Sequence, residues 1–161
     1  MANTYSQIYI QVVFAPEGRQ NLIAPKHREE LQRYMTGIVT HQKHKLIAIY
    51  CMPDHVHILV GFRPFMALSD LVREIKADSC NFINQQKWFP GTFNWQEGYG
   101  AFSYGHSQLG SIISYIRNQQ SHHSRKTFEQ EYLQFLKKFD VPYNPKYVFE
   151  INEQRSSDEP R

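Results

Sequence analysis

Over residues 5–14 the chain alternates polar and apolar positions, with Ile8, Ile10, Val12 and Phe14 recurring at every second place. That period puts the four on one face of a half-buried strand. Pro25 then opens a stretch in which Leu31, Tyr34, Met35 and Ile38 follow the three-and-four spacing of an amphipathic helix. Residues 45–52 and 55–62 are β-rich runs separated only by Pro53 and Asp54, the short polar break of a hairpin. A second helical stripe runs through Leu68, Leu71, Val72, Ile75, Phe82 and Ile83, with Ser69 placed to cap it and Arg73 and Lys76 on its other side. The segment 93–104, FNWQEGYGAFSY, reads as a fourth strand in which Gly98 and Gly100 mark a bulge or bend.

The order β-α-β-β-α-β predicts an α+β fold of the ferredoxin-like (RRM-like) class. Such a fold is an antiparallel sheet with both helices on one face and the other face open. Beyond that unit, residues 107–126 read as a further helix and 127–139 as another, with a break near 125–127. At 161 residues the chain fits one domain, placed at 1–150, followed by a polar tail at 151–161 expected to be flexible.

Hydrophobic residues make up 41% and charged residues 20%, and no apolar run is long enough to span a bilayer. The N-terminus lacks a charged start and reads as a strand rather than a signal peptide, which points to a cytoplasmic protein. Cys51 and Cys80 are too few for a disulfide framework and read as reduced core residues. A net charge of +3 says little by itself, but its distribution says more. No carboxylate stands between Glu97 and Glu129, while Arg117, Arg125, Lys126, His106, His122 and His123 do; Glu30 to Asp54 repeats the pattern around Arg33, Lys43 and Lys45. Acid-free surfaces of this kind suit an approach to phosphates.

In the run CMPDHVHILV, strand alternation projects His55 and His57 from one face and Val56, Ile58 and Val60 from the other. With the valines and isoleucine against the helices, the histidines stand on the open face as half of a metal site. Taken alone, the same pair also reads as a surface coincidence. In the later helix Leu109, Ile112, Ile113 and Ile116 form the buried stripe. Tyr115 and Gln119, four residues apart, lie on a neighbouring stripe at a cleft edge or at the rim of a core.

Together, His55-Val56-His57 and the Tyr115 to Gln119 spacing resemble the single-tyrosine HUH transposases of bacterial insertion sequences. The flanking segments MPDHVHILV, WQEGYGAFSYG and YIRNQQSHH are also similar to that family's, and the resemblance covers most of the chain. It implies that Tyr115 is a nucleophile on an added C-terminal catalytic helix, and that His55, His57 and Gln119 hold Mg2+ or Mn2+ without a nucleotide cofactor. It further implies cleavage and rejoining of single-stranded DNA at element ends, often beside a hairpin, through a 5′-phosphotyrosine. A homodimer whose tyrosine helix completes the partner's site is implied as well.

The sequence names no proton acceptor for Tyr115. His122, on the same stripe, is one candidate, for proton transfer or for DNA, while His123 falls nearer the apolar side. Arg73, Lys76 and Arg117 are candidate phosphate contacts, and Trp95, Tyr99, Phe102 and Tyr104 are aromatics able to stack on bases. Competing readings are a replication or conjugation nickase, a non-catalytic ferredoxin-like nucleic-acid-binding module, and a domesticated relative acting on dispersed repeats. The small size disfavours the first, and the joint presence of His55, His57, Tyr115 and Gln119 disfavours the second.

Overall fold

The computed structural model describes residues 3–148. Its four strands are β1 (Tyr9–Phe14), β2 (Lys45–Met52), β3 (His55–Gly61) and β4 (Gly100–Tyr104), hydrogen-bonded in the order β2-β3-β1-β4 with every pair antiparallel. Helices α1 (Arg28–His41) and α2 (Leu68–Gln86) connect them in the expected β-α-β-β-α-β sequence. Pro25 enters α1 through a single 3-10 turn, Pro25–His27. Pro53 and Asp54 form the two-residue turn that pairs Met52 with His55. Among the described residues no helix is long and apolar enough to cross a membrane.

The alternation in β1 sorts residues onto two cores. Val12 and Phe14 join Val56, Ile58 and Val60 of β3 and Leu71, Val72 and Ile75 of α2 in one cluster, with Ile8 and Ile10 packed against it. The other face of the sheet, expected to be open, is also covered. Val13, Leu59 and Phe102 point there, into a second cluster built with Ile112 and Ile116 of α3 (Leu109–Arg117) and Phe128, Phe135 and Leu136 of α5 (Phe128–Lys138). A sheet with apolar side chains on both faces needs cover on both, each fully buried large one contributing roughly 1.5–3 kcal/mol. Helix α5 starts where Thr127 and Gln130 satisfy each other's backbone N–H groups at 3.0 and 3.2 Å, a reciprocal cap. It packs so tightly on β4 that a Cβ at Gly100 would lie 2.8 Å from Tyr132 Cε2.

Three local expectations are corrected. Ser69 does not cap α2: the helix begins at Leu68 with Ala67 at its N-cap, so Ser69 already lies inside the first turn. The fourth strand is shorter than 93–104, because residues 93–99 form a loop attached by a bridge between Pro16 and Trp95. The helix over 107–126 is interrupted at Asn118 (φ −100°, ψ 28°), which separates α3 from the short α4 (Gln119–His123). The tail at 151–161 lies outside the described residues.

The loop before β4 hangs on Asn84, whose side chain accepts from the Phe93 N–H at 2.7 Å and donates to the Phe93 carbonyl at 3.1 Å. Asn84→Ala is expected to cost about 1–3 kcal/mol of unfolding free energy by leaving that N–H unpaired beside the fully buried Phe93 ring. Urea titration of the variant checks this, and a midpoint equal to wild type would refute it.

Candidate active site and metal centre

Strand β3 places His55 and His57 on the same face as Leu59, beneath α3, α4 and α5. Both imidazoles are fully buried, contrary to the expected open face. The His55 ring stacks on Phe128 at 4.4 Å, and Phe135 lies 6.1 Å from the His57 ring. The physical reason is the second apolar cluster, which draws α5 over the sheet.

Each imidazole is oriented by a partner on its far side. His55 Nδ1–H donates to Asp54 Oδ1 at 2.7 Å, which turns the Nε2 lone pair inward. Burial would raise the Asp54 carboxyl, but the hydrogen bond and charge of His55 outweigh it and hold the group below its ordinary value. Gln119, fully buried, donates its Nε2 to the Tyr115 carbonyl at 3.2 Å, so its Oε1 faces His55 Nε2 at 3.1 Å. Two acceptors therefore meet, an arrangement satisfied by a bound cation or by a second proton on His55. Tyr104 Oη–H donates to Gln11 Oε1 at 2.7 Å, and Gln11 Nε2 in turn donates to His57 Nδ1 at 2.7 Å. In this tautomer His57 Nε2–H points at Glu131 Oε1, 2.8 Å away, and an ion on Nε2 would take that proton's place once the Gln11 amide turned over to accept from Nδ1–H. Burial lowers the His57 pKa, with Glu131 opposing.

Glu131 of α5 sits at the centre, 1% exposed on its side chain. Its Oε1 is 3.7 Å from His55 Nε2, and its Oε2 accepts the Tyr115 hydroxyl hydrogen bond and lies 3.2 Å from His123 Nε2. Burial favours the neutral acid, but the His123 and His57 imidazoles and the Tyr115 hydroxyl outweigh it and hold the carboxyl far below the usual range. His55, His57, His123 and Glu131 each offer a ligand atom, all within 4.8 Å of one another. This donor chemistry, with the Gln119 amide oxygen beside it, fits a divalent metal.

Tyr115, half-buried, presents its ring edge-on to His57 at 6.1 Å. Burial first, and the Glu131 carboxylate second, push its phenol well above the ordinary value. His122 stacks face to face on it at 4.4 Å, so the hydroxyl is received by Glu131 and not by His122. Tyr115 and Glu131 also line a cavity of about 520 Å³ between α3 and α5, bordered by Ser111, Tyr104, Lys126 and Lys138. Phenol and imidazoles meet within one chain.

The remaining candidates scatter. Arg117 is exposed at the end of α3. Arg73 is paired with Asp70 on α2, across the sheet from the histidines. Lys76 is occupied too: its Nζ donates to the Gln96 carbonyl at 2.9 Å and to that of Gly98, and burial pulls its pKa down to about 8. Of the four aromatics, Phe102 and Tyr104 are core residues and the Trp95 indole donates to Ser79 at 2.9 Å, leaving Tyr99 exposed.

Sequence reasoning missed Glu131 and passed over His123 in favour of His122. A signal for Glu131 exists: it falls on the buried stripe Phe128, Phe135 and Leu136, where a carboxylate is out of place.

Comparison with known proteins bears on this geometry. One similar structure is that of a protein assigned as a transposase from Deinococcus radiodurans R1, at 23% identity and a TM-score of 0.57, covering 74% of this chain and 95% of that one. Another is a REP-associated tyrosine transposase bound to a REP hairpin, at 14% identity and a TM-score of 0.55, covering 89% of this chain and 93% of that one. At such identities the likeness establishes a shared fold. A comparison with curated proteins finds no match. A family model described as "Transposase IS200 like" matches residues 4–119, a span that takes in β1 through Gln119 and both histidines of β3. Since that match covers well over half of its length, the chain belongs to the IS200-like transposase family.

Proposed function

We propose that this transposase cleaves and rejoins single-stranded DNA through a covalent 5′-phosphotyrosine at Tyr115, with Mg2+ or Mn2+ held by His55, His57 and Gln119. The observation that carries the reading is the Tyr115 hydroxyl bonded to a carboxylate that also touches His57. Nucleophile and metal donors therefore form one contiguous cluster.

Tyr115 Oη attacks the scissile phosphorus, the bond to the 3′ oxygen breaks, and that oxygen takes a proton from solvent and leaves as a 3′-hydroxyl. The phosphodiester is exchanged, not hydrolysed, so a second 3′-hydroxyl can reverse the step and join a new end. A bound divalent ion supplies Lewis-acid stabilisation of the charge that builds on the phosphate. Glu131 Oε2 already accepts the phenol's hydrogen bond and is the atom placed to receive its proton. Until a phosphate arrives, the raised phenol and the depressed carboxyl keep that proton on Tyr115.

The cleft lined by Tyr115, Lys126 and Lys138, with Glu131 also in its wall, gives a strand access to the hydroxyl. Of the candidate phosphate contacts, Arg117 and His122 belong to α3 and α4 on this side of the sheet, and Arg73 and Lys76 to α2 across it. A hairpin-bearing substrate is supported by the similar structure bound to a REP hairpin.

The test is incubation of the full chain with single-stranded DNA from both flanks of its gene, with Mg2+ or Mn2+. A denaturant-resistant adduct mapping to the Tyr115 peptide is expected, and absence of any adduct with every flank and both ions would sink the reading. Because phenol and imidazoles meet within one chain, mixing Tyr115→Phe with His57→Ala protein is expected to restore no adduct. Recovery in the mixture would assign the working site to two copies.

A further inference from the structure

We propose that His123 and Glu131 are ligands of the same ion as His55 and His57, making a site that prefers Mn2+ or Zn2+ to Mg2+. The inference rests on the metal-dependent reading above and deepens it.

The spacing of the donors is the first argument. Atoms bound at about 2.1 Å from a shared ion sit about 3.0 Å apart at a right angle and about 3.4 Å apart at the tetrahedral angle. Glu131 Oε1 is 2.8 Å from His57 Nε2 and 3.7 Å from His55 Nε2, and Glu131 Oε2 is 3.2 Å from His123 Nε2. These separations from Glu131 lie on either side of the two ideal values, and the four ligand atoms all lie within 4.8 Å of one another.

The second argument is an orphan. His123, nine-tenths buried on its side chain, has an Nε2 with no hydrogen-bond partner, because the nearby Glu131 oxygen is within reach but out of line. A buried ring nitrogen aimed into a cluster of donors and left unpaired is costly unless something binds it. The third is the composition of α5: a carboxylate on its buried stripe lowers the stability of an apolar interface unless charge is present to meet it.

Both residues lie beyond the family match, which ends at 119. This ligand set also changes the chemistry. His55, His57 and Gln119 alone leave a site that hydrated Mg2+ can share, whereas three imidazoles and a carboxylate suit first-row transition-metal ions over Mg2+ and leave little room for the waters that Mg2+ retains. Binding would then pin α4 and α5 to the sheet.

Calorimetric titration of the chelator-treated full chain with Mn2+, Zn2+ and Mg2+, alongside thermal melting, tests this. Mn2+ and Zn2+ are expected to bind at least about tenfold tighter than Mg2+. His123→Ala and Glu131→Gln are each expected to weaken Mn2+ by tenfold or more and to remove the rise in melting temperature it causes. Glu131→Gln keeps the side-chain shape, so a folded variant is available even if Glu131→Ala unfolds. If His55→Ala abolishes binding while His123→Ala and Glu131→Gln bind as wild type, this inference falls and the proposed function stands. Equal affinity for Mg2+ and Mn2+ also overturns it, and wild-type protein that binds none of the three ions removes both this inference and the metal part of the proposed function.

Discussion

Tyr115→Phe is expected to abolish the covalent DNA adduct, lowering its rate of formation on the order of 10⁴-fold or more, while the protein stays folded and still binds metal. The substitution removes one oxygen and nothing else. The ring keeps its stacking on His122 at 4.4 Å and its edge contacts with His57 and Phe135 at 6.1 and 5.8 Å. All the metal donors remain in place. What is lost is the attacking atom, and removal of a covalent nucleophile leaves only the binding and electrostatic contributions to rate. Glu131 Oε2 loses a hydrogen bond, at about 1–3 kcal/mol of stability, which unfolding measurements separate from the catalytic loss. Denaturing electrophoresis of the protein with labelled single-stranded DNA reads the result. Adduct formation near the wild-type rate would move the nucleophile elsewhere, first to Tyr104, which borders the same cavity but has its hydroxyl committed to Gln11.

Much of this site was legible in the chain because its parts obey short-range rules. Strand alternation fixes which face His55 and His57 share, whatever covers that face. The helical spacing of four brings Gln119 back to the Tyr115 carbonyl even though the backbone breaks at Asn118. The β-α-β-β-α-β order along the chain was legible for the same reason, since apolar periods and the Pro53-Asp54 turn are local signals. Failures arose where the deciding contact is long-range. Nothing near β3 announces that α5, more than sixty residues later, will lie on it. Alternation puts Gln11 and Val13 of β1 on the face expected to be open, yet both are fully buried. Gln11 is tolerated there because Tyr104 and His57 satisfy both ends of its amide. Glu131 escaped notice because a single carboxylate in FEQEYLQF has the composition of an exposed helix, and only its position on the stripe betrays it. His123, nearer the apolar side and four residues after Gln119, packs against His55, while His122 covers the phenol.

Whether α5 truly closes the histidine face is decided by Phe135. Its ring is 8% exposed and stands at the junction of sheet and helix, stacked on Phe102 at 5.1 Å, edge-on to Tyr115, and 6.1 Å from His57. Phe135→Ala removes that filler from a cluster held otherwise by Phe128, Leu136 and the Glu131 contacts, and the rigid sheet beneath cannot move up to close the gap. The expected cost is about 3–5 kcal/mol of unfolding free energy, the range for a buried phenylalanine cut to alanine. Denaturant titration measures it, and hydrogen exchange locates it, with amides of α5 losing protection before those of β1 and β3. A loss of under about 1 kcal/mol with unchanged exchange in α5 would mean that the helix is not docked in solution. The imidazoles would then stand on an uncovered sheet, Glu131 would no longer reach them, and the metal would rest on His55, His57 and Gln119 alone.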